Sequence, residues 1–99
     1  MYTPINEYLH KKLLEAEYAI ELGKKIKPRY IYNAIRNCLA IKLYLDKTVD
    51  NKLIITTIEN NIGKLTAESL LDNQANPVQR DIALRYLDYL YNKLSGVLA

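Results

Sequence analysis

Hydrophobic residues recur along this chain at intervals of three and four, the spacing of an α-helix that buries one face. Residues 4–22 carry two such stripes side by side. The first comprises Ile5, Leu9, Leu13, Ala16 and Ile20. The second comprises Leu14, Tyr18 and Leu22. Thr3 as N-cap and Pro4 at the first helical position predict where this helix begins, and Gly23 predicts its end.

The second predicted helix, residues 28–46, is apolar around most of its circumference. Pro28 suits its first position, and Ile26 and Ile31 have the spacing of a hydrophobic staple. Its main apolar face comprises Ile31, Ala34, Ile35, Cys38, Ile41 and Leu45. Since only a narrow strip of this helix is polar, we expect it to lie at the centre of the fold.

A third helix is predicted over residues 50–62, because Ile54, Ile58 and Ile62 recur every four residues. Asp50 or Thr48 is its expected cap and Gly63 its expected end. The β-branched segment 53–58, LIITTI, is also compatible with a strand. Such a strand would have no partner elsewhere in the chain, which favours the helix.

Two further helices complete the prediction. A short one over residues 67–74 has Thr66 as its cap and a staple between Leu65 and Leu70. The last, residues 77–94, begins at a capping box of Asn76 and Gln79, and Gly96 is its expected end. Its central stripe comprises Ala83, Leu87, Leu90 and Leu94.

The predicted architecture is therefore all-α, an irregular bundle of about five helices that forms a single domain over residues 1–99. Helices 2 and 5 are expected at its centre. Because 99 residues are few to cover the broad apolar faces of both, we expect a homodimer.

Composition narrows the class of protein. A single cysteine cannot form an internal disulfide, and no segment has the roughly 20 apolar residues of a membrane span. With no secretory signal pattern at the N-terminus, the expectation is a cytoplasmic protein without a membrane partner. All nine aromatic residues are tyrosines, whose hydroxyl groups favour the border of a core or an interface.

Charge is unevenly distributed. The net charge is +3, yet residues 22–45 contain six basic residues and no acid. An anionic partner is compatible with that field, so a nucleic-acid-binding module is the alternative function. Its candidate contacts are Lys24, Lys25, Lys27, Arg29 and Arg36. Tyr30 and Tyr32 interleave with them but point about 200° apart on a helix, so they cannot form one stacking platform.

Three residues have side chains that could carry chemistry. His10 is the only histidine and is expected on the surface, and Cys38 is expected to pack in the core. Lys42 falls within the apolar stripe of helix 2, where a buried amine would be reactive, although its stem can also reach water. No nucleotide-binding, metal-binding or catalytic motif is present, so we expect a non-enzymatic protein without cofactor, metal or small-molecule ligand.

Residues Leu14 to Leu45 form an amphipathic helix followed by YIYNAIRNCLAIKL, residues 30–43. This pair resembles the central hairpin of HEPN (higher eukaryote and prokaryote nucleotide-binding) domains, which are small helical bundles. Ribonucleases of that family carry Arg-Asn followed by His one helical turn later. Arg36 and Asn37 match that motif, whereas Ile41 occupies the position of the His. The resemblance implies a degenerate HEPN-like ribonuclease as a second alternative.

The whole chain also resembles small proteins of filamentous and rod-shaped viruses that infect thermoacidophilic archaea. The resemblance rests on length, on tyrosine as sole aromatic residue, and on abundant Ile, Lys and Asn with one Cys and one Met. It implies a heat-stable all-α protein that acts in the host cytoplasm.

Overall fold

Five α-helices make up the part of the chain that the computed structural model describes, residues 4–47 and 50–98, with side chains described for 7–23, 25–47 and 50–97. They are α1 (Pro4–Leu22), α2 (Pro28–Leu45), α3 (Asn51–Ile62), α4 (Lys64–Leu71) and α5 (Pro77–Leu98). A 3₁₀ turn, Gly23–Lys25, follows α1. The all-α prediction is confirmed, and residues 53–58 are helical.

Helix α2 lies at the centre, in contact with each of the other four helices. Its most extensive contact is with α5, and α5 also packs against α1, α3 and α4. Helices α1, α2 and α5 thus form a three-helix unit, and the α3–α4 pair covers further parts of α2 and α5. The predicted central place of helices 2 and 5 is confirmed.

The core contains the stripes that the periodicity predicted. On α2, Ile31, Ile35 and Cys38 have no solvent-accessible surface, and Ile41 is also buried. The four predicted α5 residues, the three predicted isoleucines of α3 and the first α1 stripe from Leu9 to Ala16 are buried as well. Leu45 departs from the prediction and is exposed, because the last turn of α2 extends beyond the core.

The helix ends follow the predicted capping chemistry at two places. Asp50 caps α3, where its Oδ1 accepts a hydrogen bond from the Lys52 amide at 2.9 Å. Asn76 and Gln79 form the reciprocal capping box at α5, with side chain to backbone bonds of 2.8 Å and 3.0 Å. The predictions for Thr3 and Thr48 fall outside the described residues.

The fourth helix begins and ends earlier than predicted, at Lys64 and Leu71. Gly63 has a φ of 90°, so the chain changes direction at this one residue and α4 starts at once. Thr66 therefore lies inside the helix and is buried, and Leu65 is 72% exposed, so the predicted Thr66 cap and Leu65–Leu70 staple are wrong. Asn73, in the left-handed region at φ 57°, marks the end of α4.

The last helix continues past its predicted end. Gly96 lies within α5, which reaches Leu98 rather than stopping near Leu94. A helical glycine costs roughly 1 kcal/mol relative to alanine, which is too little to end a helix that is already packed. A Cβ at Gly96 would meet no atom within 4 Å, so this part of the helix faces solvent.

Two hydrogen bonds attach the start of α2 to distant parts of the chain. The Arg29 amide donates to Asn73 Oδ1 at 3.0 Å, which satisfies a free N–H in the first turn of α2. Arg80 Nη1, on α5, donates to the Ile26 carbonyl at 3.1 Å. The connection between α1 and α2 is therefore held by α5 as well as by its neighbours in sequence.

In the described part of the chain, no helix combines the length and hydropathy needed to cross a membrane.

Candidate functional site

An open groove of about 720 Å³ runs between α1 and α2. A smaller depression of about 220 Å³ continues it towards the start of α1 and the end of α2, and the two share Lys12 and Asn37. Tyr8 lies near Tyr44 at one end, and Leu22 near Tyr30 at the other. The helices are therefore antiparallel, and the groove follows most of their length.

The groove is lined by two regularly spaced rows of side chains. The α2 row comprises Tyr30, Asn33, Asn37, Ala40 and Tyr44, at intervals of three, four, three and four. The α1 row comprises Tyr8, Lys12, Glu15, Ala19 and Leu22, at intervals of four, three, four and three. Residues at this spacing lie along one side of a helix. Four of the ten are polar or charged (Lys12, Glu15, Asn33 and Asn37), so the groove has a continuous lining of mixed polar and apolar side chains.

Large apolar side chains are left uncovered along this groove. Leu14 and Tyr18 are each 63% exposed, and Tyr30 is 60% exposed. Tyr8 and Tyr44, at the far end, are about half exposed. Leu14 and Tyr18 belong to the second predicted stripe of α1, which lies beside the first. A run of exposed apolar residues of this kind marks an interaction surface on many proteins.

Charged groups of both signs lie within the groove. Lys12 Nζ is 3.3 Å from Glu15 Oε2 and 5.6 Å from the centroid of the Tyr8 ring. Arg36 lies on the α2 wall. Burial raises the pKa of Tyr32, and the positive charge of Arg36 opposes that rise.

The five basic residues proposed for nucleic acid do not converge on this groove. Arg36 lines it, whereas Lys25, Lys27 and Arg29 are exposed and lie outside its described lining. The side chain of Lys24 falls outside the described residues. Arg29 and Arg36 share one side of α2, roughly 10 Å apart along its axis. Binding of nucleic acid by these residues stays a prediction.

The HEPN-like motif has only part of its chemistry in place. Arg36 and Asn37 both line the groove, as a site for RNA would require. Ile41, where the His of the ribonucleases stands, is 3% exposed and apolar. A hydrocarbon side chain cannot transfer the proton that the catalytic histidine would. His10, on α1, is exposed and lies outside the described lining of the groove.

Cys38 and Lys42, the other two candidates for a chemical role, lie in opposite environments, one buried and one exposed. Cys38 is fully buried, and burial raises the pKa of its thiol to about 12, so it remains protonated and unreactive at neutral pH. Lys42 is exposed, so of the two alternatives for this residue the structure supports the side chain that reaches water rather than the buried amine. It lies in the last turn of α2, where the core ends, and its long side chain reaches water.

No group of three or more His, Cys, Asp or Glu residues in the described part of the chain is placed to hold a metal ion. Comparison of the chain with protein-family models, with curated proteins and with solved structures found no match.

Proposed function

We propose that this protein is a non-enzymatic helical interaction protein that acts as a homodimer, with the α1–α2 groove as the surface that receives the second copy. The observation that carries the proposal is the run of exposed apolar side chains along the groove, which includes Leu14, Tyr18 and Tyr30. The apolar faces of α2 and α5, from which the sequence predicted a dimer, are largely covered by other helices of the same chain. We therefore assign the dimer contact to the α1–α2 groove.

A second copy suits the groove because the charges along it are self-complementary. In a two-fold symmetric interface the same patch meets itself, so residue pairs occur twice. Lys12 and Glu15 lie one turn apart in the same row. Two antiparallel copies can therefore exchange these ion pairs across the interface while Leu14 and Tyr18 become covered.

The area of exposed apolar surface along the groove is close to the area that a small protein interface buries. A buried tyrosine removes roughly 150–250 Å² from water, so five side chains that are each about half exposed leave about 500 Å² to cover. Small specific interfaces bury about 600 Å² on each partner. Together with the polar residues of the two rows, the groove supplies the area that a stable dimer needs.

Sedimentation analysis at high micromolar concentration tests the proposal. We expect a particle of twice the 11.5 kDa mass of the chain. A monomer at that concentration would contradict it.

Paired substitutions test which surface forms the dimer. Leu14→Lys with Tyr18→Lys places two charges on the groove wall without touching the core, and should yield a folded monomer. The matched control is Val78→Lys with Ile82→Lys, which changes two exposed apolar residues on α5 outside the groove lining. This control should remain dimeric. Dissociation of the α5 variant alone would assign the interface to α5 and reject the groove.

A further inference from the structure

The outer face of α1 carries a stripe of exposed residues in which charges flank an apolar centre. The stripe follows the edge of the groove, since Leu14 and Tyr18 also belong to the groove lining. Its positions recur at intervals of four and three, so they fall within about 80° of the helix circumference. The six residues, all exposed, are Glu7, Lys11, Leu14, Tyr18, Glu21 and Lys25. Lys25 lies in the 3₁₀ turn directly after α1.

The order of charges along this stripe is complementary to the same order read backwards. Ala16 is the midpoint of the stripe, and residues equally far from it on either side form three pairs. Each pair contains one residue from each half: Leu14 with Tyr18, Lys11 with Glu21, and Glu7 with Lys25. The central pair is apolar, and both outer pairs join an acid to a base. Two copies of the stripe placed antiparallel therefore match at every position.

We propose that α1 of the second copy lies antiparallel along this stripe, with the two-fold axis level with Ala16. The inference rests on the proposed homodimer and specifies the helix that makes the contact and its register. At the centre, Leu14 packs on the partner's Tyr18, and symmetry repeats this contact. Further out, Lys11 pairs with the partner's Glu21, and the tyrosine hydroxyl stays at the wet margin of the interface.

Charge also selects the antiparallel arrangement over the parallel one. In a parallel two-fold pair each residue of the stripe meets its own copy, so all four charged positions would place like charges together. Among the described side chains, the ion pairs are Lys12–Glu15 and Asp81–Arg85, and neither involves a charge of the stripe. The four charges of the stripe are therefore free to pair with a second copy.

Charge reversal tests this register, with the dimer dissociation constant measured by sedimentation at low salt. Lys11→Glu places two acids opposite each other at both symmetry-related pairs, and Glu21→Lys places two bases there. Each variant alone should dimerise at least about ten-fold more weakly than the unmodified protein, because two attractive contacts become repulsive. The pairs lie at the margin of the interface, so the difference should shrink at about 1 M salt.

The two variants complement each other, which gives a sharper result than either loss. In a mixed dimer of Lys11→Glu with Glu21→Lys, an acid faces a base at both pairs, so an equimolar mixture should dimerise more tightly than either variant alone. The double variant that carries both changes swaps the pair within one chain and should recover the dimer to within about three-fold of the unmodified protein. Its net charge stays at +3, and altered contacts along α1 itself persist in it, so neither explains a recovery.

The matched controls are Lys52→Glu and Glu68→Lys, which make the same charge changes on exposed residues of α3 and α4. Each should dimerise within about two-fold of the unmodified protein. If the stripe variants behave like these controls, or if neither the mixture nor the double variant recovers, the register is wrong although the dimer stands. A monomeric unmodified protein at high micromolar concentration overturns both the register and the dimer. Circular dichroism of each variant checks that the helices are intact.

Discussion

The thiol of Cys38 shows how fully the middle of α2 is enclosed. It has no accessible surface, and its pKa is raised from 9.0 to about 12 because burial disfavours the thiolate. A thiolate is the reactive form of cysteine, so alkylating reagents should reach Cys38 only when the protein unfolds. The residue acts in the native state as a small apolar side chain.

The raised pKa predicts that stability falls at alkaline pH. Above about pH 9 the unfolded thiol loses its proton while the folded thiol keeps it, so the unfolded state is favoured by about 1.4 kcal/mol for each pH unit up to about 12. Urea unfolding at about pH 7 and about pH 10.5 measures this change. Between those values the unmodified protein should lose about 2 kcal/mol more than Cys38→Ala.

Cys38→Ala is also the control for the tyrosines. Burial raises the pKa of Tyr32 and Tyr86, which adds a loss of stability above about pH 10 that both proteins share. The same pH dependence in both proteins would show that the thiol is not shielded as described.

At the scale of elements, α3 has a buried row of three isoleucines, Ile54, Ile58 and Ile62, and one exposed isoleucine, Ile55. Ile58 has no accessible surface, while Ile55 is 48% exposed. Ile58→Ala should therefore lower the free energy of unfolding by about 3 kcal/mol, through lost burial and the cavity that remains. Ile55→Ala, the same chemical change in the same helix, should cost less than about 1 kcal/mol. Urea unfolding of the two variants measures both values, and similar costs would contradict the assigned faces of α3.

Periodicity predicted the elements well because burial on one face of a helix repeats along the sequence. The β-branched segment LIITTI has a local preference for a strand, but it forms a helix. Burial of isoleucines at helical spacing stabilises the helix by more than that local preference costs. The capping box of α5 was predictable for a related reason: Asn76 and Gln79 satisfy each other within one turn. Features that depend on the spacing of residues within one helix could thus be predicted from the sequence.

Features that depend on how the helices pack against one another could not be predicted from the sequence. Whether a second apolar stripe is covered depends on where the next helix lies, so helical spacing identified Leu14 and Tyr18 but could not show that they line the groove. Helical angle placed Lys42 in an apolar stripe, but it could not show that the core ends before that turn.

At the scale of the whole molecule, the resemblance to proteins of viruses from thermoacidophilic archaea stays a prediction, and heat stability is the property it implies. Thermal unfolding followed by circular dichroism should give a Tm above about 90 °C. At this chain length, Ile58→Ala should lower the Tm by about 4–8 °C for each kcal/mol of unfolding free energy that it loses. This variant therefore relates changes in Tm to changes in the free energy of unfolding. A Tm of about 45–65 °C, usual for proteins of moderate-temperature organisms, would contradict the resemblance.

The position of α5 also determines when the fold can close during synthesis. It packs against both α1 and α2, yet it is formed by residues 77–98, which follow the other four described helices in the sequence. Until the ribosome has released that segment, the faces of α1 and α2 that α5 covers stay open to water. A chain that stops before residue 77 would lack α5 and would expose the apolar faces that α5 covers, which favours aggregation and proteolysis.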